Sequence, residues 1–149
     1  MVAGAWLAHI PAATVGRPGM AHSVIARPSV IAKLTEASEG LVVVSAPAGY
    51  GKTTAVALWD ESDPRVFAWV RLDHLDNDPA HLLLHLTTAM SQVSRVDPRV
   101  LHYLRGAGRI VQTQLVPALV QALEECGPIV LVLDDVHELT ARAAVDALR

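Results

Sequence analysis

Residues Leu41 to Thr54 read LVVVSAPAGYGKTT. The first five, Leu41 to Ser45, are a short apolar run rich in valine with no polar alternation, the pattern of a strand buried on both faces. Gly49 and Gly51 free the backbone to turn, and Thr53 to Trp59 reads as the opening of a helix. Strand, glycine turn and helix thus frame Gly51-Lys52-Thr53, the last three defined positions of the phosphate-loop pattern G-x-x-x-x-G-K-[ST]. Ala46 stands where that pattern has its first glycine.

Each residue type in the loop has a chemical reason. A polyphosphate is wrapped by backbone N–H groups only where no Cβ blocks their approach, and Gly49 and Gly51 remove that obstacle. The helix that follows adds unpaired N–H donors and a partial positive charge at its N-terminus. Ala46, Pro47, Ala48, Gly49, Tyr50, Gly51, Lys52, Thr53 and Thr54 are therefore the expected nucleotide-binding set. Lys52 reaches β- and γ-phosphates as a point charge, and the Thr53 hydroxyl is an expected Mg²⁺ ligand. Lys52 and Lys33 are the only lysines in the chain.

Further along, Ile129 to Leu133 is a second apolar run, ending in Asp134-Asp135. A buried strand that delivers an acid at its tip is the Walker B arrangement. Asp134 is expected to hold Mg²⁺ through water, because that ion keeps several waters, and Asp135 to orient or deprotonate the attacking water. Lys52 and Asp135 are the catalytic candidates. Between the two motifs, Val66 to Leu72 reads as another strand, and Asp78-Pro79 caps a helix with Leu82, Leu86, Ala89, Met90 and Val93 on one face. Pro28 opens a helix carrying Val30, Ile31, Leu34 and Ala37, with Gly40 as its stop. Short helices are expected over Asp97 to Gly108, from about Gln114 to Gly127, and from Thr140 onward. Strands alternating with helices predict an α/β fold, a P-loop NTPase-type parallel sheet with helices on both faces, with ligands beyond the carboxyl ends of the strands.

Composition bounds the rest. The chain has 149 residues, enough for one modest domain. At 52% hydrophobic and 18% charged it can bury a core. A net charge of −3 argues against a broadly basic nucleic-acid-binding surface. The single cysteine, Cys126, excludes an internal disulfide and fits a reducing, cytoplasmic setting. No apolar run approaches the roughly 20 residues needed to cross a bilayer, so no membrane partner is expected. Residues 1–26, with Pro11, Gly16, Pro18 and Gly19, read as a flexible arm, and 27–149 as a partial nucleotide-binding domain.

"LVVVSAPAGYGKTT", "FAWVRLDHLDNDPAHLLLHL" and "PIVLVLDDVHEL", in that order, resemble the nucleotide-binding domain of the large MalT-like, LuxR-type transcriptional regulators, signal-transduction ATPases of the STAND class. The resemblance runs from about Arg27 to Leu139. Its most specific part is the aromatic strand followed by Leu72-Asp73 and Asp76-Asn77-Asp78-Pro79. Alanine at the first loop position is common in that family. The resemblance implies a slowly hydrolysing ATPase switch using ATP, ADP and Mg²⁺. ADP would hold the rest state; inducer and ATP would favour self-association in the full-length regulator. DNA would be touched only by a helix-turn-helix that this chain does not contain. It also points to the Arg27 region for adenine. In that family a sensor strand follows the Walker B strand and lies between it and the P-loop strand. No such strand follows Asp135 here, so the sheet is expected to be incomplete at its C-terminus and the chain a truncated piece. The alternatives are a module that binds nucleotide without hydrolysis and a fragment of a P-loop small-molecule kinase.

Other candidates have simpler readings. His81 and His85 lie four apart on one helix, but no third metal ligand is evident, and a solvated face is expected. Asp73, Asp76 and Asp78 lack the glycine and distal Glu of a calcium loop and are expected to cap and turn. His74 and His137 lie near the ligand edge. Arg105 and Arg109 are read as surface residues, and Trp59 and Trp69 as core. Cys126 is read as buried filler.

Overall fold

A computed structural model describes residues 10, 14–20, 24–37, 40–93 and 128–148. The chain divides into two compact units, Arg17–Val66 and Met1–Gly16 with Phe67–Arg149.

In the first unit, α1 spans Pro28–Glu36, with proline in its first turn where a backbone N–H is not needed. It ends at Ala37, whose N–H donates to the Leu34 carbonyl, and Gly40 follows at φ 91°. Helix α2 covers Lys52–Ser62 and buries Ala57 and Trp59. Asp63 closes α2: its N–H donates to the Trp59 carbonyl at 2.9 Å, and its carboxylate accepts from Trp59 Nε1 at 2.9 Å. Arg65 grips the same carboxylate with Nε at 2.8 Å and a terminal nitrogen at 2.7 Å. The guanidinium also lies over the Trp59 ring, 5.2 Å from its centre.

The second unit is built on a two-stranded parallel sheet of β1 (Val66–Arg71) and β2 (Ile129–Asp134). The four inner residues of β1, Phe67 to Val70, are all buried, as an unbroken apolar run requires. Val15 bridges Val70 in antiparallel fashion, and Gly16 N–H donates to the Trp69 carbonyl. A 3-10 turn, His74–Asn77, leads into α3 (Pro79–Val93), and a second, Val136–Glu138, leads into α4 (Arg142–Ala147). The core joins Val15, Val70, Leu72, Leu82, Leu86, Ala89 and Ala144, flanked by Leu131, Leu133 and Leu139. Truncating a fully buried member such as Leu82 to alanine removes about 2–5 kcal/mol.

Most expected elements are present where the sequence placed them, including the Asp78 cap, whose carboxylate accepts from the N–H groups of Ala80 and His81. Two expectations need correction. Leu41 to Ser45 is not a strand: the segment joins no ladder among the described residues, and Leu41 and Val43 are largely exposed. A strand is held by pairing with neighbours, and the described residues put none beside it. The apolar run therefore records a preference for burial that local geometry alone does not satisfy. The second correction concerns α3, where His81 and His85 are buried rather than solvated, because the seven residues from His81 to Thr87 are buried on every side of the helix. The helices expected over Asp97 to Gly108 and from Gln114, with Arg105, Arg109 and Cys126, lie outside the described residues.

Candidate nucleotide-binding site

The loop from Ala46 to Gly51 belongs to the first unit and is exposed throughout. Gly49 and Gly51 hold φ at 78° and 76°, the left-handed region that side chains with a Cβ avoid. Gly51 is also the N-cap of α2 and has no side chain to cap with, so the first turn of α2 begins without a side-chain cap. Tyr50 N–H reaches back to the Pro47 carbonyl at 3.4 Å and closes the turn.

Lys52 folds over this loop. Its ammonium donates to the Ala46 carbonyl at 2.8 Å and the Pro47 carbonyl at 3.2 Å. The one cation of the loop is thereby held above the two carbonyls that begin it. Ammonium, hydroxyl (Thr53, Thr54) and helix N-terminal donors form the set a phosphate needs, and both inner glycines already have the required backbone sign. The residues present thus fit a bound polyphosphate. Ala46 departs from the strict pattern without needing a positive φ, since Gly49 and Gly51 are the positive-φ residues of the loop.

Asp134 and Asp135 lie in the second unit, where β2 ends. The backbone is fixed there by Leu72 N–H donating to the Asp134 carbonyl at 3.0 Å. The Asp134 carboxylate accepts from Asp135 N–H at 3.1 Å. Asp135 sits at φ 58° and ψ 38°, and among the described residues it alone, apart from glycine, has a positive φ. Aspartate visits this region more readily than most residues. Its carboxylate is half exposed, with Arg71 Nε and His137 Nδ1 each 3.9 Å away. At that distance and exposure these pairs contribute under about 1 kcal/mol and leave the carboxylate available to other partners.

Asn77 organises this end of β2 and was not singled out by chemistry from the sequence. Its side-chain amide donates to the Glu138 carbonyl at 2.8 Å and accepts from Thr140 N–H at 2.8 Å and Ala141 N–H at 2.7 Å. One side chain thus ties the turn after β1 to the segment after the acid pair. The clue was the Asp76-Asn77-Asp78-Pro79 string, in which a capping acid alone leaves the asparagine unexplained. Asp73 and Asp76 form a reciprocal cap on the first 3-10 turn, as capping residues were expected to do.

A family model described as an AAA domain matches residues 35–149. The chain belongs to the AAA domain family. The family carries with it the P-loop α/β fold, of which the two-stranded parallel sheet and its helices are a part. This AAA domain is also similar to regulators named HTH-type transcriptional regulator MalT. It is 30% identical over 143 residues to that of Yersinia enterocolitica, covering 91% of this chain and 15% of the regulator. The Vibrio parahaemolyticus regulator gives 30% over 143 residues, 89% of this chain and 15% of the relative. With the Vibrio cholerae protein the identity is 39% over 79 residues, 52% of this chain and 9% of the relative. The AAA domain chain therefore spans about a seventh of the length of these two fuller matches.

Proposed function

We propose that this chain is the nucleotide-binding switch of a MalT-like transcriptional regulator, taking ATP and hydrolysing it slowly. The observation that carries this reading is the Lys52 ammonium folded over a loop whose two inner glycines already hold positive φ. Lys52 and the amides from Gly49 to Thr54 hold phosphate: when phosphate oxygens enter, the ammonium exchanges the Ala46 and Pro47 carbonyls for them. Ala46, Pro47, Ala48 and Tyr50 supply loop backbone. Thr53 is assigned as a Mg²⁺ ligand by its hydroxyl, and Asp134 as another through water. When bound, Mg²⁺ neutralises charge on the β- and γ-oxygens. Asp135 holds and polarises a water molecule, accepting its proton at a carboxylate oxygen. The exposed loop and half-exposed acid suit a switch, in which the output is conformation and turnover is low.

Two further features belong to the same reading. Self-association and DNA contact are assigned to the longer regulator, with DNA held by a helix-turn-helix domain elsewhere in it. The setting is cytoplasmic, in keeping with relatives named as transcriptional regulators; among the described residues no helix is long and apolar enough to cross a membrane. Single-turnover hydrolysis separates a switch that hydrolyses from a module that only binds. Asparagine tolerates the left-handed backbone at position 135, so Asp135→Asn is expected to keep Mg-ATP affinity within about threefold and to slow hydrolysis at least about tenfold. Equal rates in the two proteins would remove Asp135 from the chemistry.

A further inference from the structure

The second unit contains a buried cluster that the nucleotide reading does not use. Asp76, His81 and His85 are 0%, 6% and 1% exposed. Asp76 Oδ1 lies 3.0 Å from His81 Nδ1 and 3.0 Å from His85 Nδ1, and Oδ2 lies 3.1 Å from the latter. One donor atom from each residue falls within 4.8 Å of the others. The two rings meet edge to face, their centres 6.1 Å apart, so both Nδ1 atoms converge on the carboxylate. The turn places Asp76, and the i, i+4 spacing on α3 places the two histidines on one face.

The outer atoms of the cluster are fixed as well. His85 Nε2 faces the Thr14 carbonyl at 3.3 Å, and Asp76 Oδ2 accepts the Asp73 N–H at 2.9 Å. A carbonyl only accepts, so His85 Nε2 must carry a proton to bond with it. In the metal-free cluster, Nδ1 of the same ring also faces an acceptor, the carboxylate. Satisfying both sides with protons makes His85 a buried imidazolium, which costs desolvation. A cation on the Nδ1 lone pair meets both demands with a neutral ring. A ligating histidine that donates its other N–H to a backbone carbonyl is the usual supporting arrangement of a metal site.

We propose that Asp76, His81 and His85 bind a divalent transition-metal ion of the zinc class, through Asp76 Oδ1 and the two Nδ1 atoms. Bonds of 2.0–2.1 Å at tetrahedral angles put donors about 3.3 Å apart, so the 3.0 Å contacts open by only a few tenths of an ångström. Binding releases the Nδ1 proton of the His85 imidazolium to solvent, His81 coordinates as the neutral tautomer that keeps its proton on Nε2, and water takes the fourth position. The ion ties together α3, the turn after β1 and the segment around Thr14, all within one unit. The site requires no nucleotide.

The test uses the untagged chain, stripped with chelator and titrated with Co²⁺ and then Zn²⁺ in nucleotide-free buffer. The expected result is one Co²⁺ per chain with a visible d–d band that Zn²⁺ bleaches. His81→Asn and His85→Asn should each weaken binding at least about tenfold, since even the loss of a residue that only supports a ligand costs that much. Because either variant can lose its fold, nitrogen-detected imidazole NMR of the wild-type chain is run alongside. Of seven histidines, two should shift with Zn²⁺, both with the signature of Nδ1 coordination. The proposal is overturned if the wild-type chain takes up no Co²⁺, if folded variants bind as well as wild type, or if the perturbed imidazoles are other than two or are coordinated through Nε2. None of these outcomes bears on nucleotide binding, so the two readings fail separately.

Discussion

Gly51 shows how much one residue carries. At φ 76° and ψ 31° it begins α2 from the left-handed region. A Cβ added there meets the Thr54 Cβ at 3.9 Å, an ordinary contact, so the cost of Gly51→Ala comes from backbone conformation and not from crowding. That cost is about 1–2 kcal/mol, and chemical denaturation should show it as a lower midpoint with an unchanged slope. Asp63 gives a second prediction. Its hydrogen bond from the Arg65 side chain, offset by burial and reinforced by the Arg65 backbone and Trp59, holds its carboxyl far below the ordinary value of 3.8. A carboxyl depressed in the folded state stabilises fully above its unfolded value, and that stability is lost as pH falls through the folded one. Asp63→Asn should therefore cost about 2 kcal/mol at neutral pH. The gap to wild type should narrow steadily below about pH 4. A gap that stays constant down to pH 2 would show that the charge of Asp63 is not what Trp59 and Arg65 respond to.

At the scale of elements, Asn77 makes the sharpest prediction. It accepts from Thr140 and Ala141 and donates to Glu138. Asn77→Ala leaves those groups without that partner, costing about 2 kcal/mol, and the amides of residues 140 and 141 should exchange with solvent faster, as read by hydrogen exchange. Asn77→Asp keeps the acceptor and loses only the N–H, so it should cost less. The same scale shows what was legible beforehand. The starts of α1 and α3 were readable because Pro28 and Asp78-Pro79 act on the adjacent backbone. The interior of β1 was readable because its apolar run is buried on both faces. Leu41 to Ser45 carries the same signal and forms no ladder, since pairing depends on a neighbour that a residue pattern does not contain. His81 and His85 were misjudged for a related reason: their third companion, Asp76, comes from a turn that only folding brings to them.

For the molecule as a whole, the glycine turn, the lysine and the acid pair were visible as a string, because each rests on residue type and spacing. What the string could not convey was conformation: the ammonium bonded to its own loop, and Asp135 in the left-handed region. Membership of the AAA domain family covers residues 35–149 and thus both motifs. The account depends most on Lys52, whose charge is placed over the loop and nowhere else among the described contacts. Calorimetric titration of the chain with Mg-ATP, beside Lys52→Ala, tests it most directly. Saturable heat from the wild-type chain, with affinity at least about tenfold lower in Lys52→Ala (a loss of about 1.4 kcal/mol or more), is the expected result. Equal affinity in the two proteins, or no heat from either, would contradict it.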